Sequence, residues 1–99
     1  MTGTTISTAD LDPRRRKALF RAWHRGMREM DLLLGQFADA KIAGMSEADL
    51  TTFEILLDAV ADRDLLAWFT GEKPIEAAHD TNVWTALVAF HKHDGPIHV

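Results

Sequence analysis

Residues 23–31 read Trp23-His24-Arg25-Gly26-Met27-Arg28-Glu29-Met30-Asp31, and the rest of the chain is organised around them. The neighbouring residues favour helix, whereas a glycine inside a helix costs roughly 1 kcal/mol. Gly26 therefore marks either a break between two helices or a place where another backbone comes very close. An unbroken helix from Pro13 to Ile42 would be about 45 Å long, too long for so small a domain. The pattern thus predicts a break at Gly26.

Opposite charges surround this glycine. Arg25 and Glu29 lie four residues apart, a spacing that allows an ordinary surface ion pair, which would contribute little to stability. If the second helix begins near Gly26, Glu29 lies in its first turn, where a carboxylate suits the helix dipole. A purely structural interpretation of the motif is therefore available: a glycine turn with a matched glutamate.

The residues in and after this stretch also resemble the signature of the succinate dehydrogenase assembly factor family. Order and spacing agree from about Leu19 to Gly71, and the matching anchors fall into four groups. They are Trp23; Arg25-Gly26-x-x-Glu29 with Asp31, Leu34 and Phe37; the Phe53–Leu57 run; and Asp62, Asp64, Leu65 and Trp68.

The resemblance implies a helical protein that docks on the flavoprotein subunit of succinate dehydrogenase, or of fumarate reductase in some bacteria. It would hold the FAD-binding and capping domains so that FAD becomes covalently attached to a flavoprotein histidine. The bond-forming chemistry would belong to the flavin and the flavoprotein. The resemblance therefore implies that this chain binds no cofactor tightly, and that the partner handles the FAD.

The family motif maps onto a partner-binding surface here. The resemblance assigns that surface to Arg25, Gly26 and Glu29, with Met27, Arg28 and Asp31 within or beside the motif. We hypothesise that Gly26 lets the partner's backbone approach, while Arg25 and Glu29 pair with charges on the partner. Met27 would supply an adaptable apolar contact.

Composition restricts the alternatives. Ninety-nine residues allow one domain, and the lack of cysteine excludes disulfides and thiolate metal sites. No apolar run approaches the ~20 residues of a membrane span, and the N-terminus lacks the apolar core of a signal peptide. We therefore expect a cytoplasmic protein without membrane insertion, and a monomer.

Charge is distributed unevenly along the chain. Residues 1–28 carry seven Lys or Arg against two acidic residues, whereas residues 29–99 carry four against thirteen. Such asymmetry can orient a partner. The basic run Arg14-Arg15-Arg16-Lys17 raises a nucleic-acid-associated regulator as a rival, but the acidic remainder would be repelled by phosphate. A solvated helix start is the simpler interpretation of the run.

The sequence gives little indication of a catalytic or metal-binding site. The chain has no tyrosine, and its serines, Ser7 and Ser46, lie in a predicted tail and a predicted helix cap, so no nucleophile has an adjacent base. His91 and His93 would point to opposite flanks of a helix, which does not favour a metal site. We therefore predict a binding protein and not an enzyme. The remaining alternative is a generic helical adaptor in which the motif is turn chemistry.

The periodicity predicts a small all-α bundle of four to five short helices over residues 12–93, between a disordered tail (1–11) and a loose tail (94–99). The first helix is expected from Pro13, capped by Asp12, to about His24, and the second from Met27 to about Ile42. A third helix is expected to follow a cap at Ser46. A fourth is expected to follow a cap at Asp62-Arg63-Asp64 and to end at Gly71, and the last to run from Asn82 to about His91. The first helix has Leu19, Phe20, Ala22 and Trp23 on its apolar face, His24 is exposed, and Gly35 faces something closely packed. Glu54 and Asp58 are solvated charges. The core is expected to comprise Trp23, Phe37, Phe53, Leu57, Trp68, Phe69 and Trp84.

Overall fold

The computed structural model describes residues 10–94, and these form an all-α domain, as predicted. The five helices are α1 (Pro13–Trp23), α2 (Arg28–Lys41), α3 (Glu47–Ala59), α4 (Asp62–Thr70) and α5 (Asn82–Ala89). A 3-10 turn follows α2, a second one precedes α5, and a π-helical turn follows α5. Within the described residues, no helix is both long and apolar enough to cross a membrane.

Helix starts follow the local sequence at most positions. The Asp12 carboxylate accepts a hydrogen bond from the Arg15 backbone N–H, and the Ser46 hydroxyl accepts one from the Asp49 N–H. These are the caps that the sequence predicts for α1 and α3. The predicted cap of α4 is wrong, because Ala61 occupies that position and Asp62 is already the first helical residue. The Asp62 carboxylate is bound elsewhere.

One hydrophobic core joins all five helices. Five of the seven predicted core residues are buried, and the other two, Trp23 and Phe69, pack against the core while partly exposed. Leu11 is also part of this core, at 8% exposure. The prediction that the disordered N-terminal tail includes Leu11 is therefore wrong. Its residues 1–9, like 95–99 of the predicted C-terminal tail, lie outside the described part.

The packing of α1 on α2 depends on a close approach. A Cβ atom on Gly35 would lie 2.3 Å from the Trp23 ring, closer than any real Cβ contact. The sequence correctly predicts that Gly35 faces something closely packed, and the structure identifies Trp23 as that neighbour. Because a side chain at Gly35 would displace the indole, this glycine fixes how the end of α1 lies on α2.

Ion pairs join α1 to α3. Arg14 contacts both Glu54 and Glu47, with its guanidinium 2.7 Å from Glu54 and 2.8 Å from Glu47, and Arg21 pairs with Asp58. The prediction that Glu54 is a solvated charge is therefore wrong, whereas Asp58 is exposed as predicted, although it is paired. The prediction that the basic run is only a solvated helix start is wrong for Arg14. Hydrogen bonding from Arg14 is the largest cause that lowers the pKa of the Glu54 carboxyl.

Arg15 ties the start of α1 to the turn after α2. Its guanidinium donates to the backbone carbonyls of Ile42 and Met45 and pairs with Asp12 at 2.8 Å. The side chain is 15% exposed. Two of the four residues in the basic run, Arg14 and Arg15, are thus engaged within the chain.

Candidate functional site: the α1–α2 turn

The turn between α1 and α2 is built on one backbone conformation. α1 ends at Trp23, α2 begins at Arg28, and Gly26 between them has φ +93°. Residues with a Cβ rarely adopt this left-handed region. A Cβ on Gly26 would have no atom within 4 Å. The predicted helix break is confirmed, and no other backbone of the described chain comes close, so the space outside Gly26 is open.

Arg25 holds the turn from the inside. Its Nε donates to the Asp62 carboxylate at 2.8 Å, and its two terminal nitrogens donate to the carbonyls of Leu57 at 2.5 Å and Val60 at 3.0 Å. Only 13% of the Arg25 side chain is exposed. The interpretation as a surface pair with Glu29 is wrong, because the guanidinium is bound at the α3–α4 junction.

The electrostatics of that junction favour this arrangement. The carbonyls of Leu57 and Val60 lie at the C-terminal end of α3, where the helix dipole favours a cation. Asp62 lies at the N-terminal end of α4, where the dipole favours an anion. Hydrogen bonds to a charged donor are the stronger kind. Arg25 therefore connects the turn between α1 and α2 to the end of α3 and the start of α4 through one side chain.

Asp31 completes the inner support. Its Oδ1 accepts a hydrogen bond from the Arg25 backbone N–H at 2.7 Å, and its own N–H donates to the Met27 carbonyl at 2.9 Å. Asp31 therefore closes the turn across Gly26 and lies in the first turn of α2. Of the six residues assigned to the partner-binding surface, Arg25 and Asp31 bind within the chain.

The other four form the outside of the turn. Gly26, Arg28 and Glu29 are exposed, and Met27 is half-buried against the core. Arg28 and Glu29 are the first two residues of α2, so two opposite charges stand beside the open glycine. The partner-binding role of all six residues stays a prediction. What the structure provides is an exposed turn with rigid internal support.

Three cavities of the described part lie away from this turn, since none of residues 23–31 lines them. Two of them, lined by residues such as Phe37 and Leu56, have volumes of about 190 and 160 Å³, and the third, lined by residues such as Trp84 and Lys92, has about 370 Å³. Small-molecule sites typically have 300–1,000 Å³, a range that only the third of these cavities reaches. Among residues 10–92, whose side chains the structure describes, no three His, Asp or Glu side chains are grouped to hold a metal ion.

Sequence reasoning missed one feature beside the turn. Phe20, predicted on the apolar face of α1, is 61% exposed and stacks on the exposed His24 ring, with centroids 3.9 Å apart. A stricter use of helical spacing would have found it, because Phe20 lies on the same side of α1 as the polar residues Arg16 and Lys17. His24 is exposed as predicted.

Comparison with known proteins identifies the family. A family model described as "Flavinator of succinate dehydrogenase" matches residues 16–91. The FAD assembly factor SdhE of Acetobacter pasteurianus is 37% identical over 83 residues, which cover 84% of this chain and 75% of that protein.

Mitochondrial relatives are similar over a smaller share of their own length. Succinate dehydrogenase assembly factor 2 of Dictyostelium discoideum is 32% identical over 89 residues, 90% of this chain and 62% of that protein. The factor of the same name from Drosophila grimshawi is 32% identical over 78 residues, 78% of this chain and 53% of its own. No solved structure matches the chain. Because the family model covers the turn, most of α1 and the whole of the other four helices, the chain belongs to the family of flavinators of succinate dehydrogenase.

Proposed function

We propose that this chain is an assembly factor that binds the flavoprotein subunit of succinate dehydrogenase and promotes covalent attachment of its FAD. The flavoprotein of fumarate reductase is a second binding partner of the same kind. The observation that carries the proposal is an exposed, internally braced Gly26 turn in a member of this family. A rigid exposed turn suits docking because little conformational entropy is lost on binding.

The geometry supports different roles for different residues of the motif. The open space beside Gly26 lets the backbone of the flavoprotein come close, and the exposed Arg28 and Glu29 offer charges to it. The half-buried Met27 provides an adaptable apolar contact. Arg25, whose guanidinium is already bound to Asp62 and two carbonyls, contributes by holding the turn in place.

The bond-forming step belongs to the partner. In this proposal the flavin and the flavoprotein histidine react with each other, and the assembly factor favours the arrangement of flavoprotein domains in which they meet. No residue of this chain is assigned a catalytic role, and the FAD stays with the flavoprotein. The factor meets its partner as a monomer in the cytoplasm.

Two rival functions predict different behaviour. A nucleic-acid-associated regulator would use the basic residues of α1, but Arg14, Arg15 and Arg21 are bound to carboxylates of the same chain. Engaged cations release fewer counterions on binding phosphate, which weakens nucleic-acid affinity. A generic helical adaptor predicts that substitutions on the outside of the turn leave flavin attachment unchanged.

The test is covalent flavin in the denatured flavoprotein, measured by in-gel fluorescence in cells with and without this gene. We expect the signal to depend on the gene and to be restored by the wild-type chain but not by Glu29→Ala. The control is Glu72→Ala, which removes an exposed glutamate that also follows a positive-φ glycine. Equal restoration by both variants would reject the docking role of the turn, and unchanged fluorescence without the gene would reject the function.

A further inference from the structure

We propose that α1 carries a second part of the docking surface, an exposed stripe formed by Arg16, Lys17, Phe20 and His24, hereafter the α1 stripe. It would take an acidic segment of the flavoprotein that presents an apolar side chain to Phe20. The inference rests on the proposed function, because it extends the surface of the Gly26 turn.

Phe20 is unusual in its exposure. It is 61% exposed, and the other large hydrophobic residue exposed in the described part is Ile55, at 52%. Single exposed apolar residues are common on protein surfaces and carry little information alone. Phe20, however, differs from an ordinary exposed apolar residue in three ways: its ring is stacked on another ring, positively charged side chains lie beside it, and it is close to the Gly26 turn.

The Phe20 ring is held in one orientation. The His24 imidazole stacks on it, with centroids 3.9 Å apart and ring planes 17° from parallel. His24 Nδ1 lies 2.7 Å from the Phe20 carbonyl oxygen, which can only accept, so Nδ1 donates and the imidazole is fixed as well. No residue in the described part of the chain pairs with Nε2. The two rings are a preorganised aromatic platform with a polar edge, and preorganisation lowers the entropic cost of binding.

The charge beside this platform is positive. Arg14 and Arg21, on the side of α1 that meets α3, and Arg15 are paired with carboxylates of the chain. Arg16 and Lys17 are exposed and form no ion pair with any residue of the described part. Hydrogen bonding from Arg14 is the largest cause that lowers the pKa of Glu54, although the charge of Lys17 also helps to lower it. Complementary charge favours a particular partner and speeds its approach. The α1 stripe therefore suits a partner segment that carries carboxylates.

Its place in the fold indicates the occupant. His24 is separated from Gly26 only by the inward-pointing Arg25, so the stripe continues directly into the exposed turn. Stable interfaces bury about 800 Å² on each partner, from some 20–30 residues a side. Four side chains are too few for an interface of their own. The protein that docks on the Gly26 turn is thus the occupant that the arrangement favours.

The test compares the two exposed hydrophobic residues. We would measure the Kd between purified apo-flavoprotein subunit and the wild-type chain, Phe20→Ala and Ile55→Ala by titration calorimetry, with melting by circular dichroism. We expect Phe20→Ala to weaken binding about ten-fold or more, as loss of an aromatic anchor does. Ile55→Ala, on α3, is expected to bind like wild type, and neither variant disturbs the core, so both remain folded.

The outcomes separate this inference from the proposed function. If the wild type and Ile55→Ala bind the flavoprotein and Phe20→Ala binds equally well, the α1 stripe is rejected while the function stands. If the wild type does not bind, both are rejected. A Phe20-dependent dimer in sedimentation, or Phe20-dependent retention on a single-stranded oligonucleotide, would also overturn the inference, because the occupant would then be a second copy or a nucleic acid.

Discussion

Two turns of this molecule each contain a glycine with positive φ, and they differ in what holds them. Gly26 after α1 and Gly71 after α4 have φ +93° and +83°, and a Cβ on either would have no atom within 4 Å. At Gly71 the backbone closes the helix itself, since the Gly71 N–H donates to the Trp68 carbonyl and the Lys73 N–H to the Ala67 carbonyl. This is an ordinary glycine ending of a helix.

At Gly26 the support comes from side chains. The Arg25 guanidinium donates hydrogen bonds at the α3–α4 junction, and the Asp31 carboxylate accepts a hydrogen bond from the Arg25 backbone N–H. A positive-φ glycine therefore does not by itself mark a docking site, because Gly71 has the same geometry. What distinguishes the Gly26 turn is that a largely buried arginine, Arg25, supports it while Arg28 and Glu29 are exposed on the outside. The following predictions test that distinction, from the largest expected effect on stability to the smallest.

Arg25→Met should remove the brace. We expect the free energy of unfolding to fall by about 2–3 kcal/mol, because Asp62 and the carbonyls of Leu57 and Val60 lose charged hydrogen bonds in a largely buried place. Thermal unfolding would show a melting temperature lower by roughly 10–20 °C. Arg28→Met in the same turn is the control, with a change within about 0.5 kcal/mol. Equal losses from the two variants would contradict the inward role of Arg25.

Gly35→Ala should disturb the packing behind the turn. The new Cβ would lie 2.3 Å from the Trp23 ring, so we expect a loss of about 2 kcal/mol from overpacking, measured by urea unfolding. In a Trp23→Leu background the penalty should shrink to less than half, because the ring that it meets is gone. The same penalty in both backgrounds would mean that the Gly35 requirement does not come from Trp23.

Gly26→Ala and Gly71→Ala should lower the free energy of unfolding by the same amount. Both place a Cβ in the left-handed region with free space around it, so each is expected to lose about 1 kcal/mol in chemical denaturation. Values that agree within about 0.5 kcal/mol would show that the two glycines have the same backbone energy, so that a difference between the turns in flavin attachment would not come from stability. A much larger loss at Gly26 would instead show that the glycine is chiefly structural.

The smallest effect belongs to the Arg14–Glu54 pair, which touches neither turn. The pKa of Glu54 is lowered from 4.5, chiefly by hydrogen bonding from Arg14. The pair's stabilisation is therefore present above about pH 4.5 and lost as the pH falls through the lowered pKa. Solvent screening keeps it small. Glu54→Gln should flatten the decline of stability in acid, and an unchanged slope would contradict the pairing.

Local sequence was sufficient to predict much of the fold. Asp12 and Ser46 cap the helices that the sequence assigns to them, and the breaks at Gly26 and Gly71 are where glycine predicts them. These features depend on neighbours within four residues, so they can be read from spacing alone.

The errors about ion pairs involve partners that are distant in the chain, whereas the misplacement of Phe20 is an error of local helical spacing. Arg25 was interpreted with Glu29 four residues away, but its partner Asp62 is 37 residues away. Arg14 likewise pairs with Glu54, 40 residues away. Helical spacing cannot indicate which two helices lie side by side, and charge pairs between helices follow from that packing. The assignment of Asp62 as a cap failed for the same reason.

The measurement that tests the account most directly is covalent flavin in the flavoprotein, by in-gel fluorescence, with Gly26→Arg or Gly71→Arg as the only copy of this chain. Both variants carry the same side chain on the same backbone conformation, and circular dichroism would check that their melting temperatures fall alike. We predict that Gly26→Arg abolishes covalent flavin and Gly71→Arg retains it. Retention by both variants, or losses that follow stability alone, would contradict the docking role of the α1–α2 turn.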